Sequence, residues 1–361
     1  MQIRRRQVSA GLGVASLIAA MTFVFSPATA GASTALCGTT ITVNTTLTED
    51  VGPCPADGIE IGANNITLNL GGHTVFGTPT PGDGLGVWAQ NKTGITVRSG
   101  TVRDFDAGVV FDHVTNGLIT QVVVRDNIGE QSDEFSTDFG DGILLFESSN
   151  NRVIQNMADH NGPFDGIGLL GNSDNNLIQA NVSQNNNLTF ERPGHGTPGD
   201  LVQEDDGIRL ETTGNAANHR SPNFNTVTGN TLRSNGLDGI AVFAFADDNQ
   251  ITNNVFEHNG YEGNARRGDG IHIFGRVMRT TVTGNRVTNN ARNGIRIDPT
   301  VANPVPALNN VITRNVAVNN AASPGLDPGF DLSDGNRFCD SNTWTQNSHF
   351  TEDDPGSDCL N

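Results

Sequence analysis

Apolar and polar residues alternate in short bursts along most of the chain. Thr40-Ile41-Thr42-Val43, Ile59-Glu60-Ile61 and Ile66-Thr67-Leu68-Asn69-Leu70 each put apolar side chains on every second position. That period of two predicts half-buried strands. From residue 84 onward the bursts fall into a repeat. A turn pair leads each time into an apolar run, as in Asp141-Gly142-Ile143, Asp165-Gly166-Ile167, Asp206-Gly207-Ile208, Asp238-Gly239-Ile240, Asp269-Gly270-Ile271 and Asn293-Gly294-Ile295. Gly84 to Gly108, Gly142 to Gly166 and Gly270 to Gly294 are each 24 residues apart. One full unit, Asn223 to Val242, holds three strand-like bursts separated by turns. No window of ten residues carries a helical period. Parallel strands therefore cannot be linked through helices. Three short strands per coil of about two dozen residues predict one rung of a parallel β-helix, in which each coil buries its apolar side chains against its neighbours.

The resulting expectation is an all-β fold, a right-handed single-stranded parallel β-helix of about 22–24 residues per basic coil. Its coils would run 37–76 at the N-terminal end and 77–334 through the repeats, with a cap over 335–361. Residues 31–361 would form a single domain. Residues 1–30 read as an export signal: Arg4-Arg5-Arg6, an apolar stretch from Ala10 to Phe25, and Ala28-Thr29-Ala30 as a cleavage site. Bacterial export and a secreted, extracellular location follow as expectations. No later apolar run is long enough to span a bilayer, so no membrane is expected once the signal is removed.

Composition sharpens this. The chain has 361 residues and a net charge of −18. Loss of the signal would remove three arginines and no acids. So acidic a surface repels nucleic acid and anionic membranes, and suits calcium, a hard cation with oxygen ligands. Asn pairs recur at the turns and would form ladders between coils. The four cysteines lie in two local pairs, Cys37 with Cys54 and Cys339 with Cys359. In an exported chain these read as disulfides clipping the two ends of the stack.

Longer Gly-to-Gly spacings locate insertions. Those at Ile128–Gly140, Asn187–Glu204 and Gly260–Gly268 fall just before the turn pair, and those at Thr212–Pro222 and Pro299–Ala307 fall after the strand that follows it. Insertions at one repeat position emerge on one side of the stack. The strand between them would floor a lateral groove. By parity, Ile208, Leu210, Ile271, Ile273, Ile295 and Ile297 point inward, and Arg209, Glu211, His272, Phe274, Arg296 and Asp298 point outward. Arg296 and His272 would be one coil apart, and His272 and Arg209 two. Leu144, Phe146 and Gly168 make the earlier part of the same face apolar.

The repeated units from Gly94 to Asn320, which follow the pattern N-x-I/V-x-x-N-x-V/F/L and then Asn-Gly and Asp-Gly-Ile, carry a resemblance. So does the opening from Cys37 to Thr74. The chain resembles the secreted right-handed parallel β-helix repeat proteins of the pectate-lyase-like superfamily. The resemblance implies the fold strongly. It leaves the activity open among lyases, hydrolases, epimerases and non-catalytic members.

An extracellular polysaccharide is the expected partner, with lyase-like β-elimination on a uronate polymer as the leading reading. Removing the proton beside a uronate carboxylate requires that carboxylate to be neutralised, here by Arg209 and Arg296. It also needs a base such as His272 and an acid such as Tyr261, the chain's only tyrosine. Glu211, Phe274, Asp298, Phe146, Arg267 and His195 would line the groove and bind substrate. A glycosidase using Glu204, Asp205 or Asp206 is the alternative enzyme, although Asp206 is also simply the repeat's turn residue. A non-catalytic glycan-binding or structural surface protein is the third reading. Calcium is expected at Asp200, Glu204 and Asp205, and no organic cofactor. Asp298-Pro299 is followed by Thr300 rather than the His-Glu of β-helix uronate epimerases. Copper is poorly supported, because only Met157 and Met278 remain beyond the signal and the histidines are dispersed. His160 and His258 both precede Asn-Gly and read as turn residues.

Overall fold

In the computed structural model the described residues are 31–78, 84–129, 140–186, 205–214, 218–260, 268–299, 306–321, 329–336, 341–353 and 360. Gly31–Asn361 forms one compact unit. Among the described residues there is no α-helix, and every strand ladder is parallel. The fold is a right-handed parallel β-helix, as the pattern of alternation predicts.

One sheet contains twelve strands, stacked in chain order. Its later members are Ile143–Phe146, Ile167–Leu170, Ile208–Glu211, Ile240–Val242, Ile271–Phe274, Ile295–Asp298 and Leu332–Asp334. The remaining strands build two further parallel ladders, which merge where the long strands Thr96–Arg103 and Leu118–Arg125 pair with members of both. Inside the stack, like residues pile on like. Ile143, Ile167, Ile208, Ile240, Ile271 and Ile295 form one fully buried column in the twelve-stranded sheet.

The turns explain the asparagines. Asn156, Asn181, Asn230, Asn254, Asn285, Asn315 and Asn347 form a continuous column. Asn254 shows its chemistry. Its Oδ1 accepts the backbone N–H of Asn230 at 2.8 Å, its own N–H donates to Asn285 Oδ1 at 2.9 Å, and its Nδ2 donates to the Val227 carbonyl at 2.9 Å. Coils turn the backbone away from its sheet partners, so the turn N–H groups need another acceptor, and the asparagine of the next coil supplies it. His160 and His258 both adopt left-handed backbone, with φ of 61° and 57°, in keeping with turn positions.

Cys37 and Cys54 form a disulfide across the first coil. Cys339 and Cys359 lie outside the described residues. So do most of the inserted segments. Of these, the one after Ile208–Glu211 is described at its base, where Thr213 and Arg220 exchange both backbone hydrogen bonds as a small antiparallel bridge. The Arg220 guanidinium then reaches Glu147, 3.1 Å away and two strands earlier in the sheet.

The asparagine column yields a stability prediction. Asn254→Ala strands the buried Asn230 N–H and the Val227 carbonyl and should lower unfolding free energy by roughly 2–4 kcal/mol. Urea denaturation would show this as a reduced midpoint. A loss below about 0.5 kcal/mol, the range of an ordinary surface change, would contradict it.

Candidate functional site

The outer face of the twelve-stranded sheet carries the candidate site. Strand register places Arg209 beside Ala241, Ala241 beside His272, and His272 beside Arg296. These are the intervals parity predicts. Upstream the same face is apolar: Val110, Leu144 and Ala107 form a small cluster with Trp88, Phe146 and Leu170 against it. Outward-facing positions here are nonetheless largely covered, Arg209 being only 3 % exposed and His272 6 %.

Buried charge on such a face must be compensated. The turn aspartates do this with both carboxylate oxygens. Oδ1 of each caps the next coil's turn: Asp206 accepts the Asp238 N–H at 2.8 Å, Asp238 the Asp269 N–H at 2.7 Å, and Asp269 the Asn293 N–H at 2.8 Å. Oδ2 of each receives a cation from the outer face. Asp206 takes Arg209 Nη1 at 3.1 Å, Asp238 takes His272 Nδ1 at 3.0 Å, and Asp269 takes Arg296 Nη1 at 3.4 Å. The repeat's punctuation thus doubles as a row of counter-ions, and a residue that fixes a turn also holds a cation.

His272 and Arg296 then meet at Asp298. Arg296 Nη2 is ion-paired to Asp298 Oδ2. His272 Nε2 lies 3.5 Å from the same oxygen, an ion pair rather than a well-formed hydrogen bond. Burial works against a charge on His272. The Asp238 carboxylate, by charge and hydrogen bond, outweighs it, with further help from Asp298 and Asp269, and the imidazole is pushed up to about 9. Burial likewise opposes ionised Asp298, but His272 and Arg296 hold it below the usual carboxylate range. Burial and the Asp238 charge push Asp269 up, against the pull of Arg296, His272 and Arg292. Two coils away, Arg209 is claimed by Asp206, by Glu211 at 2.8 Å and by the Phe243 ring, 4.0 Å from the guanidinium carbon. Phe274 stands edge-on between His272 and Phe243.

Of the residues singled out from the sequence, His272, Arg296, Asp298 and Phe274 come together. Arg209 and Glu211 pair with each other, two coils off. Phe146 belongs to the apolar part of the face, four strands from His272. Tyr261, Arg267, His195, Asp200 and Glu204 lie outside the described residues. Asp205 is fully buried. Both oxygens of Asp206 are engaged, Oδ1 with the Asp238 N–H and Oδ2 with Arg209, as suits a turn residue. The carboxylates around His272 favour its protonated form. Asp238 and Asp269 were not singled out, because their identity looked fully explained by the turn. The available signal was the basic residue three positions after each turn in the neighbouring coil.

Among curated protein sequences none matches the chain. The family described as right handed beta helix region matches residues 201–357, and that described as periplasmic copper-binding protein (NosD) matches residues 58–190. Similar solved structures include the Dettilon tailspike protein gp208, at TM-score 0.56 and 17% identity, covering 85% of this chain and 53% of that one. The chain thus spans about half the length of that tailspike. The periplasmic alginate epimerase AlgG follows at 0.52 and 13%, covering 81% and 70%. The Azotobacter vinelandii mannuronan C-5 epimerase AlgE6 A-module has 0.51 and 14%, covering 87% and 75%.

The copper that the second family's description implies can be tested against the residues. Within 58–190 the described histidines are engaged separately, His73 with Asp50, His113 with Asp112 and His160 with Asp126. The one close set of donor atoms among the described residues is Asp238, Asp269 and His272, within 4.8 Å of one another and outside that stretch. There the donor atoms are already engaged, Asp238 Oδ2 with His272 Nδ1 and Asp269 Oδ2 with Arg296 Nη1. The donor set does not fit copper.

The paired His272 predicts a pH effect. Its folded-state value lies above the ordinary 6.5, so its stabilisation is complete below about 6.5 and fades as pH rises through about 9. Urea midpoints should fall across that window in the wild type, and His272→Gln should flatten the fall. An unchanged slope in the variant would contradict the pairing. By fold and repeat, the chain is a right-handed parallel β-helix protein of the pectate-lyase-like fold.

Proposed function

We propose that the chain is an exported, carbohydrate-active β-helix protein that binds a uronate-containing polysaccharide along the outer face of its twelve-stranded sheet, and cleaves it by β-elimination. The observation that carries this reading is the convergence of the His272 imidazolium and the Arg296 guanidinium on a single carboxylate position. Two cations at one point neutralise a uronate carboxylate and so acidify the proton at the adjacent carbon. Coils stack at about 4.8 Å, close to the length of one sugar residue, so a polymer lying along the axis presents successive units to successive coils. Two solved relatives of the fold act on alginate or mannuronan by their names, which is in keeping with a uronate substrate.

In the elimination, a base removes the proton beside the carboxylate. The electron pair forms the carbon–carbon double bond, the bond to the glycosidic oxygen breaks, and that oxygen takes up a proton. His272 and Arg296 serve as the carboxylate-neutralising pair. His272 Nε2–H is also a proton donor. In this reading Tyr261, as its phenolate, takes up that proton and becomes the neutral phenol. Asp200, Glu204 and Asp205 remain the proposed calcium ligands.

The test is product chemistry on alginate and polygalacturonate. The wild type should release unsaturated, ultraviolet-absorbing uronate ends. His272→Ala, Arg296→Ala and Tyr261→Phe should each lower the rate at least 100-fold. Unaltered rates in His272→Ala and Tyr261→Phe would sink the lyase. Retention of polymer without any product would leave a binding protein.

A further inference from the structure

The position where His272 and Arg296 converge is already filled from within the chain. Asp298 ends the Ile295–Asp298 strand, and its carboxylate bridges the two cations. Both cations are anchored from behind by buried turn aspartates, Asp238 for His272 and Asp269 for Arg296. Their front edges therefore keep a fixed spacing whether or not Asp298 is present. The fit to Asp298 is uneven. Arg296 is tightly paired with it, yet His272 Nε2 is buried and makes no well-formed hydrogen bond among the described residues, with Asp298 Oδ2 3.5 Å away. A buried donor left so long a bond is a place where a better-placed oxygen would gain. The rest of Asp298 is closely held: its carbonyl accepts the Gly275 N–H at 2.7 Å, and Oδ1 lies against Gly335, where a Cβ would come within 2.8 Å of it. Displacement of the carboxylate would have to come from rotation of the side chain, because the backbone hydrogen bond holds the strand.

Charge makes the same point. Asp238, Asp269 and Asp298 face the cations His272 and Arg296 and, at Asp269, the further charge of Arg292. A second carboxylate brought in beside Asp298 would add a negative charge in a poorly hydrated place. A carboxylate that replaces Asp298 leaves the balance unchanged.

We propose that His272 and Arg296 form a carboxylate-binding subsite, and that Asp298 occupies it in the free protein as an internal ligand which a substrate carboxylate must displace. The identity of that carboxylate as a uronate rests on the function proposed above; the subsite itself does not. A tethered carboxylate competes at an effective concentration in the millimolar range. The apparent affinity for an outside carboxylate falls by the fraction of molecules in which Asp298 has swung away. Asp298 thereby sets a selectivity threshold. A polymer that engages several coils at once supplies the binding free energy to displace it, and a lone small carboxylate does not.

This predicts a gain on mutation, which neither a catalytic nor a merely structural role would give. Asp298→Asn keeps the side chain's shape and removes its charge; Asp298→Ala empties the position. Oligomannuronate binding by calorimetry should be about tenfold tighter in both variants than in the wild type, the factor expected if the open form is about a tenth of the population. Arg296→Ala should bind weakly. Sodium acetate, followed by the His272 ring signals in NMR, should shift those signals in Asp298→Ala and leave the wild type unmoved at the same concentration. Binding no tighter than wild type in both variants, with His272 insensitive to acetate, would overturn the internal ligand. An acetate response in Asp298→Ala without oligomannuronate binding by any protein would leave the subsite standing and remove the uronate reading.

Discussion

The structure depends on one recurring hydrogen bond, from a turn N–H to a side-chain oxygen of the next coil. A parallel β-helix satisfies its strands by stacking, but every corner takes the backbone off the sheet and leaves polar groups inside a closely packed tube. Asparagine columns solve this at three corners and an aspartate column at a fourth. The choice between amide and carboxylate matters. An asparagine uses its Oδ1 on the turn and its Nδ2 on a carbonyl, and so closes its own account. An aspartate uses Oδ1 on the turn and is left with a charged Oδ2 that must find a cation. Structural repetition at that corner therefore generates a row of buried negative charge beside the outer face of one sheet.

From that row the site follows. Where the outward residue is Arg209, His272 or Arg296 the charge is met by a cation, and where it is Ala241 the neighbouring cations flank a gap. The last step of the ladder changes to Asn293, whose amide donates to Asp269 Oδ1 at 2.7 Å and adds no charge. His272 and Arg296 thus sit at the end of the acidic column, each held by one buried carboxylate and sharing Asp298 in front. Cations held in this way keep their charge and their position, which is what recognition of a carboxylate requires.

The fold was legible in the sequence because period-two alternation and a 24-residue Asp-Gly-Ile repeat admit few other architectures. The outward set on the central strands was legible for the same reason: strand parity placed His272 beside Arg296 without coordinates. What parity does not carry is partnership between coils. Asp238 and His272 are 34 residues apart, and the inserted segments vary the spacing, so nothing in the local pattern says which carboxylate faces which ring. Nor does the pattern give the protonation state of His272, which depends on burial and three carboxylates from three coils. That is why residue type alone does not give the charge of His272.

The most direct measurement is a crystal structure of the protein with oligomannuronate. The account predicts a sugar carboxylate between His272 Nε2 and Arg296, with the Asp298 side chain rotated out of that position and Asp238 and Asp269 unmoved. A bound oligosaccharide with Asp298 still bridging the two cations would contradict it.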